Sequence, residues 1–109
     1  MPEIVYGYSQ KSNKTFEKLV DDDHVVINHI VMPKGDGLPD HITNSNVYLL
    51  ITKGELTVKF ENKDVRAYSA GQLVHIPFRV QMNMSNNADL PAEFFVLKTP
   101  NPRYIQEKL

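Results

Sequence analysis

Three histidines and a pair of methionines carry most of the chemistry open to this 109-residue chain, which has no cysteine. Imidazoles bind divalent transition metals and pass protons near neutral pH. His29 in INHIV, His41 in LPDHIT and His75 in LVHIP are therefore the side chains to place first. Met82 and Met84 stand two residues apart, a spacing that fills a core or, beside a histidine, makes a soft Cu(I) site. Asp21, Asp22 and Asp23 read as a turn, since a calcium loop needs further oxygen ligands at odd spacing that do not follow. No Ser-His-Asp order, Gly-rich phosphate loop or closely spaced carboxylate pair stands in the chain. His41 could act alone as a general acid or base, but would need a partner that the spacing does not name.

The elements that must position these residues are strands. TFEKLV (residues 15–20) and HVVINHIVM (24–32) flank the aspartate turn and read as a hairpin. ELTVKF (55–60) alternates with period two, so Leu56, Val58 and Phe60 share a face, and DVRAY (64–68) returns as its partner after the turn at 61–64. QLVHIP is a strand ended by Pro77, which cannot donate to a ladder. Residues 80–84 alternate again, Asn86-Asn87 marks a turn, and AEFFVLK (92–98) is the last strand, in which Phe94 and Phe95 must face opposite ways. The alternation around His29 does not fix its facing, because both alternate sets contain apolar groups. Short strands, turns of Gly, Asp, Asn and Pro, and no helical period argue for an all-β sandwich or barrel in one domain. Its core spans about residues 15–98, between an arm (1–14, with IVYGY as a possible edge strand) and an extended tail (99–109) that has room for a short helix.

Residues 35–54, GDGLPDHITNSNVYLLITKG, carry a resemblance to the cupins, whose first motif is G-x5-H-x-H-x3,4-E-x6-G. Gly35, His41 and Gly54 fall on its fixed positions, while Thr43 replaces the second histidine and Val47 the glutamate. The second motif, G-x5-P-x-G-x2-H-x3-N, is kept at Gly71, Pro77 and Asn86 and changed at Arg79, which replaces a glycine, and Met82, which replaces the histidine. The resemblance covers about residues 24–98 and implies a jelly-roll β-barrel in which both motifs line one interior pocket. On that frame Val47, Leu49 and Ile51 face one way, as do Val80, Met82 and Met84. The implied ligand pocket is His41, Thr43, Val47, Leu49, Met82 and Met84, with His41 and Thr43 as its polar contacts. The family's metal rests on three imidazoles and a carboxylate, and only His41 of that set survives, so no cofactor is expected. The alternative is a divalent transition metal held by His41 with His75 or His29. The resemblance also implies a homodimer, paired through sheet extension or outer faces, with the tail free to cross to the partner.

A formal charge of -1, from twelve basic and thirteen acidic residues, leaves no basic footprint for nucleic acid and no Lys/Arg cluster for a membrane surface. Apolar runs fall far short of the roughly 20 residues that span a bilayer. The N-terminal residues lack a signal-peptide pattern, and the missing cysteine fits a reducing cytoplasm, so a soluble cytoplasmic protein is expected. Three functions remain open: a small-molecule binding or sensing module, a metal-dependent dioxygenase or isomerase built on His41, and a structural partner that works through its outer sheet and tail.

Overall fold

The chain turns where the sequence is punctuated. In the computed structural model, which describes residues 2–106, the strands are β1 (Thr15–Asp21), β2 (Val26–Met32), β3 (His41–Ile42), β4 (Asn46–Lys53), β5 (Glu55–Phe60), β6 (Val65–Ser69), β7 (Leu73–Ile76), β8 (Gln81–Ser85) and β9 (Ala92–Thr99), followed by helix α1 (Pro102–Gln106). Two antiparallel sheets form, one in the order β1-β2-β9-β4-β7 and the other β3-β8-β5-β6. The chain steps from one sheet to the other at β2 to β3, β3 to β4, β4 to β5 and every link from β6 to β9, which is the jelly roll.

Period-two alternation decides what lies between the sheets. Val47, Leu49 and Ile51 of β4, Phe94 and Val96 of β9, Leu56 and Val58 of β5, and Met82 and Met84 of β8 all point into one core. Leu49, Ile51, Leu56, Val58 and Phe94 lose all contact with solvent, and each fully buried side chain of this size contributes about 1.5–3 kcal/mol. Gly54 closes the β4 to β5 turn at φ 73°, and a Cβ there would lie 2.4 Å from the Pro91 carbonyl oxygen. Any side chain at this position would strike backbone, so the motif glycine is required for close approach as well as for its dihedral.

The Asp21 to Asp23 cluster is a turn: Asp22 Oδ1 accepts hydrogen bonds from the N–H groups of His24 and Val25. It also anchors the end of the chain. Asn101 Nδ2 donates to Asp21 Oδ1 at 2.7 Å and to the Asp22 carbonyl at 3.0 Å, and Arg103 bonds Asp23 at 3.0 Å. The expected extended tail is therefore a short helix folded back on its own β1–β2 turn as far as residue 106, and the last three residues lie outside those described. Among the described residues, the N-terminal arm adds no strand to either sheet. It crosses the outer face of the five-stranded sheet, where Tyr8 packs edge-on against Phe95 with centroids 5.0 Å apart. Phe94 thus faces the core and Phe95 a second, smaller layer beneath the arm. No helix among the described residues is long and apolar enough to cross a membrane.

Candidate functional site

Between the sheets, at the end where β3 meets β8, the core leaves a cavity of about 80 Å³. His41, Thr43, Val47, Met82 and Met84 line it together. Leu49, the remaining residue of the set expected from the motifs, lies deeper in the core without exposure and does not reach the cavity. His41 pairs with Met82 across the β3–β8 ladder and stays solvent-exposed, with its Nδ1–H donating to the Pro39 carbonyl at 3.1 Å. Thr43 is buried and occupied: its hydroxyl donates to the Pro77 carbonyl at 2.7 Å and accepts from the Val80 N–H at 2.9 Å. The hydroxyl's one donor is thereby used, and one of its acceptor positions. Thr43 pins the β7–β8 turn to β3 and is not a free polar contact of the cavity.

The other two histidines stand elsewhere. Tyr48 pairs with His75, and the two rings stack at 4.5 Å and 11°, on the face opposite to Val47 and Leu49. His29 alternates with Asn28 and Ile30, which line the cavity, and so faces outward from β2. The structure does not bring His41 together with either His29 or His75, and among the described residues no group of three His, Asp or Glu side chains is placed to hold a metal ion.

His29 is nonetheless fully buried, because the arm covers it. Its Nδ1 lies 2.7 Å from Glu17 Oε1 and its Nε2 2.9 Å from Glu93 Oε2. Carboxylates only accept, so both bonds are complete when the ring carries a proton on each nitrogen. The Ser9 N–H, then the His29 ring, hold the Glu17 carboxyl below its ordinary range. Burial pushes Glu93 upward, but hydrogen bonds from His29 and Thr52 and the charge of Lys53 outweigh it and leave that carboxyl lowered as well.

Seven further residues line the cavity, of which Phe16, Asn28 and Lys98 lie outside both motifs and Asn44 within the first. These four also border a wider basin of about 480 Å³ that opens toward β1 and α1. The signal for Lys98 was present in its period: it follows Phe94 and Val96 on the inward face of β9. Burial and the neighbouring Lys18 charge hold its ammonium below the usual lysine range. Asn28 is 6% exposed, and its amide oxygen has no hydrogen-bond partner among the described residues. A second depression, beside the β5–β6 hairpin near Phe60, Asp64, Arg66 and Arg79, is open to solvent and lies away from the motif residues.

No protein-family profile matches the sequence. An uncharacterised protein of Methanocaldococcus jannaschii is 45% identical over 105 residues, covering 94% of this chain and 90% of its own. Its crystal structure, described as an RmlC-like cupin family protein with a double-stranded β-helix fold, superposes with a TM-score of 0.93 at 42% identity, covering 97% of this chain and 98% of the other. The Cnp3 cupin domain of Schizosaccharomyces pombe (TM-score 0.76, 15% identity, 94% of this chain and 79% of that one) shares the fold, as does a cupin-like protein of Thermotoga maritima (0.74, 21%, 87% and 76%). With two sheets in jelly-roll order, both motif frames at the mouth of one cavity and a relative this similar over nearly its whole length, the chain belongs to the RmlC-like cupin family.

Proposed function

We propose that this chain binds a small organic molecule in the cavity between its sheets and works without the metal centre that cupin motifs build. The observation that carries the reading is the character of the four motif ligand positions. His41 is exposed and turned to Pro39, the Thr43 hydroxyl is bonded to backbone on both sides, and Val47 and Met82 are apolar members of the core. That donor set does not fit a hard or borderline divalent cation, which needs several imidazoles or carboxylates converging on one point. What remains is an apolar floor with polar groups at its mouth, the composition of a small-molecule site.

Elemental analysis of protein purified without chelator, beside His41→Ala, tests the metal-free part. The expected result is no stoichiometric transition metal in either protein, with thermal stabilisation by at least one compound in a metabolite screen. Stoichiometric metal that disappears in His41→Ala would overturn the metal-free reading and make enzyme assays the next step.

The proposed working form is a homodimer joined through the outer face of the five-stranded sheet. Leu50 and Leu73 project there with 39% and 63% exposure beside the Tyr48–His75 stack. Leu73→Glu should convert the dimer to monomer in sedimentation velocity; a monomeric parent protein would contradict the assignment. The cysteine-free composition supports a reducing compartment such as the cytoplasm.

A further inference from the structure

Three cations stand around the basin that leads into the cavity, and two of them are committed. Lys18 pairs with Asp21 at 3.5 Å, and Arg103 with Asp23 at 3.0 Å and Asp21 at 3.7 Å. Lys98 has no carboxylate within 4 Å among the described residues, although it is the half-buried one and stands where basin and cavity join. A partly desolvated ammonium without a counter-ion is unfavourable, and an anion delivered to it recovers much of that cost. Its lowered pKa agrees with this environment. Asn28, at the same junction, contributes a buried amide oxygen with no partner, an acceptor still open to a hydroxyl. Beyond them the cavity is apolar, closed by Ile30, Val47, Met82 and Met84. At about 80 Å³ it holds only a short carbon chain, since drug-sized ligands need roughly 300 Å³ or more.

We infer that the cavity selects a short-chain carboxylic acid, with the carboxylate on the Lys98 ammonium and the carbon chain against Met82 and Met84; the open Asn28 oxygen accepts only from a donor such as a hydroxyl and does not bind the carboxylate. This rests on the reading of the cavity as a small-molecule site and adds the class of molecule. The acid must enter carboxylate-last, because the charged group at the junction is the only unpaired cation among the described residues lining either space.

Calorimetric titration of butyrate and of its neutral isostere butyramide tests the inference on the parent protein, Lys98→Met and Lys98→Arg, each first shown by thermal melting to be folded. Butyrate should bind the parent at least about tenfold more tightly than butyramide, in line with one charge-assisted hydrogen bond. Lys98→Met should remove that preference, and Lys98→Arg should restore most of it. Equal binding of acid and amide, unchanged in Lys98→Met, would overturn the carboxylate assignment and leave the cavity as a neutral-ligand site. Binding of neither compound would also overturn it, and a metabolite screen that likewise finds no ligand would take the small-molecule reading down separately.

Discussion

At residue 79, where the second motif keeps a glycine, this chain has arginine, and the backbone still takes the glycine's conformation at φ 67°. The turn is held there by Thr43, whose carbonyl accepts from the Arg79 N–H at 3.0 Å and whose hydroxyl grips Pro77 and Val80 on either side. A left-handed residue other than glycine costs about 1–2 kcal/mol, offset in part because arginine leaves the unfolded chain less freedom than glycine, worth about 0.4–1 kcal/mol. Arg79→Gly should therefore hold or raise stability by up to about 1 kcal/mol, although it removes the guanidinium from above the Phe78 ring. Arg79→Val, β-branched and worse in this region, should lose at least about 1 kcal/mol. Urea denaturation of both variants decides it, and a glycine variant less stable than the valine one would contradict the account. Asn86 is the opposite case, a motif residue kept. It is fully buried, donates through Nδ2 to the Met32 and Leu90 carbonyls, both at 2.8 Å, and accepts from Ala88. Its place in the motif is explained by tying loops together, with no need of a ligand.

The elements β1, β2 and β9 meet the arm around His29, and this cluster was not legible in the sequence. A strand with one face in the core and the other in water shows its facing by alternation; β2 is covered on both faces, by the core on one and by Tyr8 and the arm on the other, so its residues are buried almost without interruption. The partners Glu17 and Glu93 are 76 residues apart and become neighbours only through the pairing of β2 with both flanking strands. The cluster predicts a pH dependence. Both carboxyls titrate below their ordinary value of 4.5 in the folded protein, so the stability they contribute is fully present above that value and is lost as pH falls through the lowered range. Thermal melts between pH 7 and pH 3 should show a steep acid-side loss that Glu17→Gln and Glu93→Gln each flatten. Identical slopes in parent and variants would contradict it. Glu93→Ala should cost about 1–3 kcal/mol by leaving a nitrogen of the buried ring without its hydrogen-bond partner.

On the scale of the whole molecule, most strands were readable because they carry their own punctuation: Gly54, Gly71 and Pro77 end elements, and alternation in ELTVKF and AEFFVLK assigns faces, while the jelly-roll arrangement was readable only through the motif resemblance. The candidate site was readable only in part. Motif spacing led to His41, Thr43, Val47, Met82 and Met84, which do meet at one cavity, but it could not tell that Thr43 would be consumed by backbone or that Leu49 would sit too deep. It was silent on Asn28, Lys98 and Phe16, which come from outside both motifs and reach the cavity through strand order alone. The proposed ligand lies directly against the apolar floor of this cavity. The measurement that tests this contact most directly is a methyl NMR titration of protein labelled with 13C at the methionine methyls, run against mixtures of small metabolites and then their single components. A genuine ligand should shift the Met82 and Met84 methyl resonances together, saturably, while Met32, buried in the core but off the cavity lining, stays put. Stabilising compounds that leave the Met82 and Met84 methyls unmoved would mean that the cavity is core and that any ligand binds elsewhere.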